Sequence, residues 1–463
     1  MSIISTGSRS FESSIPILVV GGGGTGLCAA LAAREAGAEV LVLERDKVPL
    51  GSTAMSTGLI PAANTRFQRD AGVKDSPEQF SKDILIQSRG QTDREIVRIL
   101  ANQSAATIEW LVDDHHVPLF FLPDLMYPGH QCPRMHATPH RSGGELMGAL
   151  FNACQRVGVD VLTQATVTDL FVQEGDRILG VLISRPDGSS EEIGCNVLVL
   201  ASSGFSGNPE LITEHIPEMS DVTVFGHAGN KGDALRWGMK LGAAIADIHA
   251  YQGHGGLACG YSIPIGWPLI FKGGFQVNAE GVRFSDESKG PHLQGPKIIA
   301  QSGGFAWNIF DEQRHNYMLA YEDYKNANRA GCLAHADTIA ALAEKTDLPA
   351  RSLRDTLHDV RSMAQGGMED PFGRDFTSSL PLDPPYYAVK VTAALFHTQG
   401  GLVVDFDGRV KREDGRVFPN LFAGGGAARG VSGPSYWGYL PGNGLLTATT
   451  FGRIAGRAAA RFT

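Results

Sequence analysis

The stretch IPILVVGGGGTGLCAALAAREAGAEVLVLERD, residues 15–46, constrains the fold more than any other part of the chain. Ile17 to Val20 form a short apolar run of the kind that makes a parallel strand buried on both faces. Gly21, Gly23 and Gly26 follow as GxGxxG. Leu27, Ala30 and Leu31 then fall on one helical stripe, and Gly37 marks its stop. Residues 38–43 read AEVLVL, a second strand, closed by Glu44. Glycines let the chain turn tightly and bring the N–H groups of a helix start against a pyrophosphate, where the helix dipole favours negative charge. Glu44 comes 23 residues after Gly21, placed to accept hydrogen bonds from a ribose. A lone GxGxxG is weak, but strand, glycines, helix, strand and acid in this order predict a dinucleotide fold. An acid rather than an arginine after the second strand disfavours NADP and leaves FAD and NAD open.

The chain has 463 residues, enough for two or three structural units. Its formal net charge of -9 argues against a general nucleic-acid or anionic-membrane binder. No apolar run approaches the roughly 18 residues of a membrane span. The first fifteen residues lack a basic segment followed by an apolar one, so no secretory signal is expected. The six cysteines are scattered without CxxC or CxxCH, which excludes c-type haem attachment, argues against an iron–sulfur cluster and fits a reducing cytoplasm.

Several further segments carry a resemblance. They are GSTAMSTGLIPA (51–62), LVLASSGFSGNPE (198–210), NKGDALRWGMKLGAAIADIHAYQGH (230–254) and GVRFSDES (281–288). FHTQGGLVVD (396–405), NLFAGGG (420–426) and GYLPGNGLLTATTFGRIAG (438–456) complete the set. In this order they resemble the FAD-binding family of fumarate reductase, succinate dehydrogenase flavoprotein and 3-ketosteroid Δ1-dehydrogenase; the last segment looks most like the tricarballylate dehydrogenase branch. The resemblance implies an α/β fold: a Rossmann-like discontinuous FAD-binding domain, residues 1–250 and 385–463, with an α+β capping domain, 251–384. Segment 305–365 reads as surface helices, and FTSSLPLDPP (376–385) as a return linker.

The cofactor implied is FAD. Contacts are expected from Gly21, Gly23, Gly24, Thr25, Gly26, Glu44, Arg45, Gly58, Val167, Ala201, Gly204, Asp233, Gly425, Asn443, Leu445 and Leu446. Ser52 stands where membrane-complex members carry the histidine that bonds FAD covalently, so noncovalent FAD is expected. Ser52, Thr53, Ser56 and Thr57 would donate hydroxyls towards it. In the terminal segment Phe451, Ile454, Ala455 and Ala458 share a helical stripe. The turn Gly442-Asn443-Gly444 starts that helix, whose N–H groups would favour reduced, anionic flavin.

The family moves two hydrogens across a C–C bond beside a carbonyl or carboxylate, one as hydride to or from flavin N5 and one as a proton. Fumarate reductases hold two carboxylates with histidines and an arginine, and a second arginine delivers the proton. His254 and His397 match the histidines, but the arginine positions fall on Tyr439 and Pro291. Burying a dicarboxylate without cations is costly. Ketosteroid dehydrogenases instead hold a ketone oxygen with a tyrosine and a glycine N–H, positions near Tyr439 and Gly442. His292 falls near their base, where a histidine titrates around neutrality, and Tyr127 near an assisting tyrosine. Tyr436 and Trp437 read as pocket walls.

The expected activity is therefore a soluble FAD-dependent desaturase that introduces a C=C bond α,β to the carbonyl of a small or cyclic ketone. A tricarballylate-like polycarboxylate dehydrogenase, with Arg134, Arg141 or Arg283 binding the anion, and a fumarate-reductase-like enoate reductase are the alternatives. A flavin redox protein without turnover stands outside that class. His130, Cys132, His136 and His140 are metal-ligand types, but Pro133 and Pro139 break helical spacing, and no metal is expected. The electron acceptor has no signature in the sequence.

Overall fold

The computed structural model describes residues 2–7, 9–173 and 176–463. By contacts the chain forms two compact units. The first takes the chain up to Asp221, Gly226–Gln252 and His397–Thr463; the second takes Val222–Phe225 and Gly253–Phe396.

The first unit is built on parallel strands. β1 (Ser13–Val20) is central, followed by helix α1 (Gly24–Glu35) and β2 (Val40–Leu43). β3 (Asp160–Leu162) lies outside β2, and β4 (Ser190–Leu200) pairs with the other edge of β1. β5 (Val417–Ala423) pairs in parallel with the end of β4. Alternate residues of β1 face opposite ways. Ile17 and Val19 pack into the cluster containing Leu27, Ala30 and Leu31 of α1, whereas Leu18 and Val20 join the cluster on the other face. A sheet covered on both faces needs such continuous apolar strands. Past the main-sheet strands Thr166–Gln173 and Arg177–Ser184, the chain turns antiparallel into β4.

The last helix, α2 (Asn443–Ala459), runs beside α1 at backbone contact distance. A Cβ on Gly452 would lie 2.5 Å from the Thr25 carbonyl oxygen, and one on Gly456 would collide with that of Ala29. Glycine is required at both points, and the matching steps of four show the helices to be parallel.

The second unit is an antiparallel sheet with helices on its faces. Phe305–Asp311 pairs with Phe275–Val277 and with the long strand Tyr386–Thr398, whose other edge carries Leu333–Ala336. Ile309 and Ala388 face helices Ile339–Thr346 and Ala350–Ala364, whereas Phe310 and Val389 face Glu322–Arg329. Segment 305–365 is therefore not helical throughout. FAWNIFD is rich in aromatic and β-branched residues and forms a strand, with helix only from Glu312. The stretch Tyr386–Phe396 is hydrogen-bonded inside this second unit.

Candidate active site

In the first unit the carboxyl ends of the parallel strands lie in one line. Gly21 N donates to Leu43 O at 2.8 Å, Ala201 N to Val20 O at 2.9 Å and Gly424 N to Leu200 O at 3.1 Å. Ligands of open α/β sheets bind at such an edge. The glycines there have steric causes. Gly21 has φ +105°, and its Cβ would sit 2.6 Å from Ala201 O. A Cβ on Gly26 would collide with the Gly21 carbonyl, and one on Gly204 or Gly425 with a threonine hydroxyl, that of Thr398 or Thr25. Gly23 faces open space, and among the described residues no side chain caps α1. Its first N–H, on Gly24, reaches Thr53 Oγ1 at 3.3 Å.

Glu44 is buried and braces this loop. Its Oε2 accepts from Gly22 N at 2.7 Å and its Oε1 from Asp46 N at 2.9 Å. Each oxygen keeps a lone pair for a ligand hydroxyl. Arg45 donates to Gly229 O at 2.8 Å, and His227 Nε2 sits 2.9 Å from Asp46. Ser52 Oγ accepts from His227 N (3.1 Å) and Asn230 Nδ2 (2.8 Å), which leaves its proton to donate. Ser56 corrects an expectation: its hydroxyl donates to Thr53 O at 2.7 Å, inside its own turn. Thr57 is half-buried beside Gly58, which turns at φ +67°. Val167 has its side chain in the core.

Among the described residues several buried polar atoms lack a hydrogen bond, and two of these groups stand at helix starts. Neither amide atom of Asn443, the first residue of α2, has a hydrogen bond among the described residues, although the side chain is fully buried. Asp233 Oδ1, at the start of helix Asp233–Lys240, is likewise unmatched, and burial raises its pKa. Buried polar atoms without partners call for a ligand. Leu445 and Leu446 follow Asn443 on α2 and pack into the apolar clusters on the two faces of the sheet.

The start of α2 carries the chemistry-bearing side chains of this unit. Gly442 caps it at φ +93°. Tyr439 is buried; burial pushes its pKa up to about 12, and the neighbouring Gly444 and Gly442 N–H groups act against that rise. His397 packs edge-on to Tyr439 with ring centroids 5.7 Å apart, and a Cβ on Gly444 would lie 2.9 Å from its Nε2. Burial pushes His397 down to about 4. Behind the loop, His130 Nε2 donates to Pro441 O at 2.9 Å. Tyr436 meets Tyr251 at 5.5 Å, and Trp437 lies under Arg89, so these rings belong to the loop's anchoring. Tyr127 is half-buried against Leu122, Leu125 and Met135.

In the second unit His254 stacks on Phe396 (4.6 Å, 9°) and meets Trp267 edge-on. Its Nδ1 accepts from Gly256 N at 3.0 Å, which leaves the proton on Nε2. Burial, then the charge of neighbouring His292, pushes His254 down to about 3. His292 opens helix Pro291–Ile299 and is itself pushed down to about 3 by burial. The expectation that His292 titrates near neutrality fails for that reason.

Two of the three arginines proposed for anion binding are held in buried ion pairs. Arg134 is fully buried between Asp75 (2.7 Å) and Asp83 (2.5 Å). Breaking such a pair costs about 3–5 kcal/mol, so it is structural. Arg283 bonds Glu287 at 2.9 Å and also Asp370. Arg141 is half-buried in the turn before helix Gly143–Arg156. His136 bonds Thr65 at 2.9 Å, and His140 is exposed beside Glu145. Sequence reasoning missed Gln399, Ser432 and Asn230, whose spacing carries no motif.

A family model described as FAD binding domain matches residues 16–445. A probable fumarate reductase of Shewanella frigidimarina strain NCIMB 400 is 32% identical over 452 residues, covering 96% of this chain and 74% of that protein. The open conformation of a flavocytochrome c3 fumarate reductase superposes with a TM-score of 0.81 at 30% identity, covering 98% of this chain and 79% of that one. A 3-ketosteroid-Δ4-(5α)-dehydrogenase from Rhodococcus jostii RHA1 shares the fold, with a TM-score of 0.77, 24% identity and 99% of each chain covered. The glycine-lined strand edge, the bare start of α1 and the unmatched Asn443 and Asp233 fit FAD.

Proposed function

This chain belongs to the FAD-binding family of the fumarate reductases, as an FAD-dependent oxidoreductase acting on carbon–carbon bonds, and we propose that its substrate carries a neutral carbonyl next to that bond. The observation that carries this is the neutrality of the polar groups at the start of α2: Tyr439 protonated, His397 unprotonated, and Tyr439 in the place of an arginine. A neutral donor set at a helix N-terminus suits a ketone oxygen on which negative charge grows as the α-proton leaves. A buried dicarboxylate would need cations.

FAD, when bound, takes or gives the hydride. Its phosphates would lie against Gly21–Gly26 and α1, its ribose on Glu44, and its ring near Asn443 and α2. Thr53, Thr57 and Ser52 would donate hydroxyls, with Arg45, Gly58, Val167, Ala201, Gly204, Asp233 and Gly425 around them. Ser52 has no side chain able to form the covalent link, which supports noncovalent binding. Tyr439 would polarise the carbonyl, with the Gly442 N–H as the second donor to it. His254 offers an Nε2 proton. Held at about 3 by burial, His292 is too weak a base to take the proton from the substrate and is not assigned that step. The six free cysteines support a reducing, cytoplasmic setting. Among the described residues no helix is long and apolar enough to cross a membrane.

The second reading is reduction of an enoate, favoured by the likeness to fumarate reductases. An anaerobic panel separates the two. Saturated ketones should bleach the flavin band of the oxidised holoenzyme, and conjugated enones should restore it after photoreduction. Restoration by fumarate or other enoates alone would sink the ketone reading.

A further inference from the structure

Beside His397 stand two buried polar side chains that the proposed chemistry leaves unused, Gln399 and Ser432. Ser432 Oγ donates to Gln399 Oε1 at 2.7 Å, and Gln399 Nε2 lies 2.9 Å from His397 Nδ1. With its amide oxygen taken by the serine hydroxyl, Gln399 turns its NH2 to the imidazole. An NH2 group only donates, so Nδ1 must accept. The competing acceptor for an Nδ1 proton, the Thr398 carbonyl, is more distant at 3.4 Å. A neutral imidazole has one proton, and with Nδ1 accepting it sits on Nε2, the atom that abuts Gly444 at the start of α2.

We propose that Gln399, oriented by Ser432, is a positioning residue that holds His397 in its Nε2-protonated form, so that His397 donates to the substrate oxygen. The role of His397 as donor rests on the carbonyl reading above; its tautomer does not. An apolar side chain at 399 releases Nδ1 to take the proton towards Thr398 O. Nε2 then carries a lone pair, which repels a carbonyl oxygen. A glutamate at 399 goes further, because its carboxylate demands the proton on Nδ1.

The test is long-range 1H–15N correlation on the FAD-loaded protein with 15N-labelled histidine, the His397 signals being assigned from a His397→Phe sample. The wild type should show the Nε2–H pattern. Gln399→Leu should show a mixture or Nδ1–H, and the near-isosteric Gln399→Glu should show Nδ1–H. Ser432→Ala should move partway, since the amide can then flip. Turnover of Gln399→Leu should drop about tenfold with the flavin-to-protein ratio unchanged. An Nδ1–H pattern in the wild type overturns the proposal, as does an unchanged pattern in both Gln399 variants. If the tautomer shifts as expected but no ketone reacts with the wild type, the positioning role stands and the carbonyl reading falls.

Discussion

Helices of the first unit begin in two different ways. Arg94–Asp113 starts on Asp93, whose carboxylate accepts from Glu95 N (3.0 Å) and Ile96 N (3.2 Å), and Gly143–Arg156 starts on Ser142. Both carry a glutamate in the first turn. By contrast α1 and α2 start on Gly23 and Gly442, with no side-chain cap among the described residues and no acid in the first turn. A cap is worth about 1 kcal/mol and a first-turn acid several tenths more. Where those are absent the positive end of the helix stays available. The capped pair stabilise the protein; the bare pair forgo that stability and leave their N–H groups open to a ligand. The two bare ends also differ, because that of α1 is lined by glycines with Thr53 and Glu44 beside them, whereas that of α2 is wrapped by Tyr439, His397 and the His130-braced loop.

The comparison breaks first at Gly26. In Gly26→Val the side chain meets the Gly21 carbonyl, and the purified protein should lose nearly all its flavin absorbance. FAD held at the wild-type ratio would end the argument for α1. Tyr439→Phe should cut turnover about 100-fold with FAD retained, since it removes a donor to developing charge. Wild-type flavin reduction rates in that variant would leave the phenol without a catalytic role.

Acid should separate the ends next. His130, His136 and His397 are held at about 4, against roughly 6.5 in an unfolded chain. The unfolded chain therefore takes up protons first, so their contribution is complete above about pH 6.5 and is lost as pH falls towards 4. Melting temperatures should drop across that window and stay level above pH 7. Asn443→Leu should weaken FAD about tenfold, measured by titrating the apoprotein, because its buried amide has no hydrogen bond among the described residues. Smallest is Asp93→Ala: about 1 kcal/mol lost in denaturant melts, with FAD affinity unmoved.

The α1 end was legible because its signal is local. Strand, glycines, helix and acid fall within residues 15–46, and their physics does not depend on distant partners. The α2 end was legible only in part. Its glycines and Tyr439 stand out, but the histidine that braces Pro441 is 311 positions away. His130 is a metal-ligand type, whereas in the fold its ring bridges the Pro441 carbonyl and the Arg134 guanidinium. Arg283 sits in a recognisable segment, yet its engagement with Glu287 and Asp370 depends on an acid 87 positions further on. The helical reading of 305–365 failed because composition averaged a central strand together with the helices after it. Burial, which no local pattern reports, decided the protonation of His292 and His397.

Gly452 and Gly456 do more than let two helices touch. They lock α2 lengthwise against Thr25 and Ala29. Asn443 precedes Gly452 by nine positions and Gly24 precedes Thr25 by one, so α2 begins eight residues, about 12 Å, beyond the start of α1. The two bare ends therefore act as the jaws of a calliper whose opening is set by where the glycines of α2 meet α1. A ligand must be about that long to be gripped at both, a requirement that a dinucleotide meets and a single phosphate does not.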